Sequence, residues 1–127
     1  MSEPVFNKLA IIGSGLIGAS IARAAAKGAA GQIRLYDADP NVLARSAALE
    51  LGETCDSAAS AVDGADCIIL CVPVGALGDA TEAIAGALKP GAILTDVGSV
   101  KAAARDAMAA HCPPHAHLIP ALSLIHI

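Results

Sequence analysis

The chain has 127 residues, 55% of them hydrophobic and only 2% aromatic, with a formal net charge of −4. That length suits one domain with a real core but not two. The acidic balance offers no basic footprint for nucleic acid, no apolar stretch is long enough to span a bilayer, and "MSEPVFNK" lacks the layout of a signal peptide, so a cytoplasmic protein is expected.

Apolar runs alternate with helical patterns. "KLAIIG" is a short apolar run closing on glycine. "GLIGASIARAAAKG" follows, with Ile17, Ile21 and Ala25 at the spacing of one helix face. "QIRLYD" is a second strand. Asp39 is then placed to cap a helix, Pro40 suits its first position, Leu43, Ala47 and Leu51 share a face, and Gly52 is expected to stop it.

"ETCDS" reads as a short third strand and "ASAVDG" as a brief helical turn. "DCIILCVPV" is apolar on both faces, as a central parallel strand should be, and ends at Pro73. Leu77, Ile84 and Leu88 mark the next helix, closed by "KPG". "AILTDV" is a fifth strand. Val100, Ala104, Ala107 and Met108 line one face of a last helix, with Lys101 and Arg105 pointing elsewhere. "PPHAHLIPA" begins a sixth strand. Strand–helix alternation with short connections predicts a parallel α/β sheet covered by helices on both faces, a doubly wound or Rossmann fold incomplete at its C-terminal end.

The first turn carries chemistry. "IIGSGLIGAS" holds G-x-G-x-x-G at Gly13, Gly15 and Gly18, with Ser14, Leu16 and Ile17 between them. Gly13 allows a tight turn, Gly15 leaves room for a pyrophosphate, and Gly18 lets the helix lie close to the sheet. The helix N-terminus offers N–H groups and a partial positive charge to the phosphates. The motif alone is common, but here it follows a strand, opens a helix, and precedes an acid at the end of the second strand.

That acid is Asp37. A carboxylate there accepts from the adenosine ribose hydroxyls and repels a 2′-phosphate, which favours NAD over NADP. The other reading is that Asp37 only caps a turn. Arg45, the one basic residue able to serve NADP, sits on the following helix and reads as a solvated side chain.

Val72, Pro73 and Val74 end the fourth strand beside the switch point where a nicotinamide lies. Ser99, in "TDVGSVK", is placed at the carboxyl edge of the sheet, where it also suits the N-cap of the next helix.

"LAIIGSGLIGASIARA", "VPV", "LKPGAILTDVGSVK" and "HLIPA" together resemble the N-terminal domain of prephenate dehydrogenase, also called cyclohexadienyl or arogenate dehydrogenase, from about Phe6 to Ala121. The resemblance implies an NAD(P)-dependent oxidative decarboxylation in tyrosine biosynthesis, from prephenate to 4-hydroxyphenylpyruvate or from arogenate to tyrosine. It implies a homodimer for the intact enzyme, and it places the family's catalytic serine, which acts with a histidine base, at Ser99.

In that family a His-Pro pair follows "LIPA". Here Leu122, Ser123, Leu124, Ile125, His126 and Ile127 follow Ala121 instead. The expected organisation is a dinucleotide-binding domain over 1–121, a non-native tail over 122–127, and an absent helical domain that would complete the substrate pocket and the dimer. "LSLIHI" matches one reading frame of a common transposon-end sequencing adapter, and a genuine sixth strand with a natural stop is the competing reading. His126 is in a foreign context for a base. Without that base, the chain as given is expected to hold NAD and not to turn over.

The alternatives are a stand-alone NAD-binding regulatory module, or another reductase of the same fold such as a β-hydroxyacid or imine reductase. The cysteines, at 55, 67, 71 and 112, read as small buried hydrophobes rather than disulfide or metal partners. His111, Cys112, His115 and His117 match no closed metal site, and no metal is expected.

Overall fold

The structure, a computed structural model, describes residues 6–13, 15–28, 30–97 and 102–119. Six parallel strands are ordered β3-β2-β1-β4-β5-β6. They are β1 (Phe6–Ile12), β2 (Ala30–Tyr36), β3 (Glu53–Thr54), β4 (Cys67–Leu70), β5 (Ile93–Asp96) and β6 (His117–Leu118). The helices are α1 (Leu16–Ala25), α2 (Pro40–Ala48), α3 (Ala58–Val62), α4 (Leu77–Ile84) and α5 (Ala102–His111). Strand order reverses direction beside β1, which pairs with β2 on one side and β4 on the other. This is the doubly wound topology, and it opens a crevice at the carboxyl ends of β1 and β4.

The period of two along β1 divides the core. Leu9 and Ile11 face α1 and α2, packing with Ala22, Ala25, Leu35 and Leu51. Ala10 and Ile12 face the other helical layer, with Val62, Leu77, Ile84 and Met108. A strand buried on both sides needs apolar residues at every position, which is why residues 9–12 of β1 and all of β4 are apolar, while Asn7 and Lys8 sit at the less buried start of β1.

Helix starts follow the sequence more closely than helix faces. Asp39 caps α2, its carboxylate accepting from Asn41 N at 2.9 Å, with Pro40 first in the helix. The buried face of α1, however, is Gly18, Ala22 and Ala25, while Ile17 is 59% exposed. The helix lies too close to the sheet for a branched side chain, so small residues face inward and Ile17 is turned out.

In α2 the buried residue is Ser46, and Ala47 is exposed. The helix ends before Leu51, and the left-handed residue at its exit is Glu50 (φ 55°), not Gly52. Gly52 is needed for close approach instead, because a Cβ there would meet the Ile33 carbonyl oxygen at 2.8 Å.

Pro73 does not end β4, which stops at Leu70; a short 3-10 helix over Val74–Ala76 follows, with Ala76 N donating to the Pro73 carbonyl. The regular turns of α4 end at Ile84, and Leu88 is buried in extended backbone beyond a second 3-10 turn over Ala85–Ala87. Gly86 and the approaching Pro90 are poor continuations of a helix. Of the predicted face of α5, Met108 is buried in the core, and Val100, Ala104 and Ala107 fall outside the described side chains.

Among the described residues no helix is long and apolar enough to cross a membrane. All four cysteines are free thiols.

Candidate functional site

The site begins where β1 stops. Gly13 takes φ +95°, and its N–H donates to the Tyr36 carbonyl at 2.7 Å. A Cβ on Gly13 would lie 2.7 Å from the Cys71 carbonyl oxygen. The chain therefore leaves β1 through a gap between the ends of β2 and β4 that admits only glycine. Gly18 serves the same packing from the helix side, since a Cβ there would lie 2.1 Å from the Gly13 carbonyl oxygen.

Gly15 is different. It is the N-cap of α1, and among the described residues, its chain neighbours aside, nothing lies within 4 Å of where its Cβ would be. No side-chain cap closes this helix start, and its first turn carries no acid. An uncapped N-terminus beside open space is what an anion needs. Leu16, 87% exposed, and Ile17 lie on the solvent side of that start.

A cavity of about 630 Å³ lies at the carboxyl ends of β1, β2 and β4. Gly13, Asp37, Val72 and Pro73 line it together, although they come from three separate turns. Asp37 is half-buried directly after β2, and its Oδ1 accepts from Asp39 N at 2.8 Å. A carboxylate has about four acceptor positions, so this turn bond leaves capacity for others. Among the described residues, the charged ones on the cavity wall are Asp37 and Asp79, both acidic.

Arg45 is exposed on α2 and lines a separate groove of about 160 Å³ between α1 and α2, with Arg23. Cys71 is on the cavity wall, and burial, with the charge of Asp96 adding, pushes its thiol up to about 12, which keeps it neutral. Burial likewise pushes the Cys67 thiol up to about 12, Asp66 contributing second.

The walls also include residues that the strand-end reading missed. Tyr36 closes β2, Ser57 and Ala58 begin α3, and Ala76, Ala80 and Ala83 repeat along α4. The sequence held a signal for the last group, small residues three and four apart on a helix following a strand. Ser14, Ser99 and residues 122–127 lie outside the described residues, as does the side chain of Val74. The histidines near the last strand go separate ways, His111 to Glu82 at 3.9 Å and His115 Nε2 to the Leu88 carbonyl at 2.7 Å.

Residues 21–125 match the family described as prephenate dehydrogenase, nucleotide-binding domain. The chain belongs to the prephenate dehydrogenase family. It is 42% identical over 113 residues to a cyclohexadienyl dehydrogenase of Zymomonas mobilis, an overlap of 87% of this chain and 39% of that one. A prephenate dehydrogenase of A. aeolicus, solved with hydroxyphenyl propionate and NAD+, shares the fold at a TM-score of 0.76 and 23% identity, over 87% of this chain and 40% of that one. Synechocystis arogenate dehydrogenase gives a TM-score of 0.68 at 25% identity, over 79% of this chain and 37% of that one. The chain thus spans about 40% of the length of the relatives it matches.

Proposed function

We propose that this chain is the NAD-holding part of a prephenate or arogenate dehydrogenase. The observation that carries the reading is the cavity itself, which gathers Gly13 and Asp37 at the switch point, with only acidic charge on its wall among the described residues. The pyrophosphate is held at the start of α1, over the open space at Gly15. Asp37 accepts from the ribose hydroxyls. With no basic residue on the described cavity wall, a 2′-phosphate would face carboxylates, so NAD is preferred to NADP. Val72, Pro73 and Val74 flank the nicotinamide side, beside exposed Leu16 and Ile17. Bound there, the cofactor supplies a hydride acceptor.

Ser99 belongs to this reading as the residue that polarises the substrate hydroxyl in the intact enzyme. The substrate carboxylates, the histidine base and the dimer contacts are assigned to parts of the intact protein beyond this chain's overlap with its relatives, and the setting is the cytoplasm. By itself the chain holds NAD and does not turn over prephenate or arogenate. Loss of a general base alone costs about 10²–10⁴ in rate.

The test is a titration with NAD and NADP. The chain has one tyrosine and no tryptophan, and that tyrosine, Tyr36, is on the cavity wall, so its fluorescence reports occupancy directly. NAD is expected to change the signal at lower concentration than NADP. Equal or tighter NADP binding overturns the assignment, and NADH formation from either substrate by this chain alone overturns the division of labour.

A further inference from the structure

The cavity has a wall that neither the glycine turn nor the ribose acceptor uses. Ala58 and Ala59 from α3 face Ala76, Ala80 and Ala83 around α4. No side chain in this group extends beyond a methyl, so the walls leave a slot for a flat ring and make no choice among rings. Choice must come from polar groups at its margin. Among the described residues, apart from Tyr36 and Asp37 at the end of β2, those are Ser57 and Asp79.

Ser57 caps α3, its Oγ accepting from Ser60 N at 3.1 Å, which leaves its O–H to donate. Asp79 is in the first turn of α4, exposed, and makes no hydrogen bond or ion pair among the described residues.

We infer that Asp79 selects the base of the dinucleotide, its carboxylate accepting a hydrogen bond from the exocyclic amino group of adenine. This rests on the reading that the cavity holds NAD. An ionised carboxylate is acceptor-only. Adenine turns an N–H₂ donor toward it, whereas a 6-oxo purine turns a carbonyl oxygen, and two acceptors meet. Ser57, as a donor, finds a ring nitrogen on either base and does not separate them. Asp79 has a second influence, on the N-terminus of α4, where the capping residue Ala76 makes no side-chain bond. That influence changes stability and leaves the ratio between two bases alone.

The experiment is calorimetric titration of the chain with NAD and with nicotinamide hypoxanthine dinucleotide, which differ only at that purine edge. The wild-type chain is expected to bind NAD about tenfold more tightly, the size of one exposed charge-assisted hydrogen bond. In Asp79→Ala the two should come within about twofold, through weaker NAD binding. Asp79→Asn, which keeps the shape and adds a donor, should bring the ratio to unity or invert it. A thermal melt of each variant establishes that it is folded. Equal affinities in the wild type, or an unchanged ratio in a folded variant, overturn the inference. Binding of neither dinucleotide by the wild type overturns the cofactor reading and the inference with it.

Discussion

At the amino end of β4, Asp66 accepts from Lys8 N at 3.0 Å with one oxygen and from Lys89 Nζ with the other, tying the starts of β1, β4 and β5. Lys8 Nζ closes on the Asp63 carbonyl at 3.1 Å. At the carboxyl end of the same strand, Cys71, Val72 and Pro73 border an open cavity. One edge spends its polar groups on each other. The other edge keeps side chains small, leaves a helix start uncapped and turns carboxylates toward the space. The sheet has the same hydrogen-bonding needs at both ends. What differs is that the loops satisfy them internally at one end, through Asp66, and leave the start of α1 uncapped at the other.

The comparison breaks most completely at the glycines of the first turn. Gly18→Ala puts a Cβ 2.1 Å from a backbone oxygen, so the helix must move off the sheet. A loss on the order of 4 kcal/mol is expected in urea denaturation, since this is overpacking against backbone. In Gly15→Val the new Cβ meets nothing within 4 Å among the described residues. The substitution should cost only about 1 kcal/mol, the price of a branched residue at an N-cap. NAD binding, measured by Tyr36 fluorescence, should nevertheless disappear. Reversal of these two outcomes would mean that the turn is built for packing alone.

A smaller effect is expected at the closed edge. Asp66→Ala leaves the Lys8 N–H without its acceptor, at a cost of about 1–3 kcal/mol. NAD affinity should be unchanged. Hydrogen bonds from Lys89, and then from Lys8 N, hold the Asp66 carboxyl below its ordinary 3.8. Its folded value is the lower one, so its contribution is complete above the ordinary value and is lost as pH falls through the folded one. Denaturation curves of wild type and Asp66→Ala should therefore run apart at neutral pH and converge in acid. A constant separation across that range would show that the bond is not what holds this edge.

The smallest effect sharpens the open edge. Asp37→Ala should narrow the preference for NAD over NADP by about tenfold, equivalent to 1.4 kcal/mol, with little change in unfolding midpoint. Titration of both cofactors checks it. A large fall in stability with an unchanged preference would assign Asp37 to its turn bond with Asp39 and not to the ribose.

Much of this was legible along the chain. The apolar runs over residues 9–12 in β1 and over β4 announced strands covered on both faces. Asp39 and Pro40 announced a helix start, because a cap is a local contract among a few consecutive residues. Gly13 and Asp37 were readable as residues of the carboxyl edge because each directly follows a strand, and both line the cavity there. Helix faces were less legible. Ile17 and Ala47 were expected inside and lie outside, because which side of a helix is buried depends on how closely it meets the sheet, and Gly18 sets that distance for α1. The alanine slot was missed because methyl groups on α3 and α4 carry no chemistry until another element faces them.

The sequence by itself determined the alternation of strands and helices, the glycine turn and the acid after the second strand. These are local, written in spacing and in residues with special backbone freedom. Only the tertiary structure decided that Ser57 and Asp79 share a cavity with Asp37, that Arg45 does not, and that Gly52 answers to Ile33 and not to its own helix. Those relations join residues distant in sequence, and they exist only after parallel pairing sets β1 between β2 and β4 and brings their following loops to one edge.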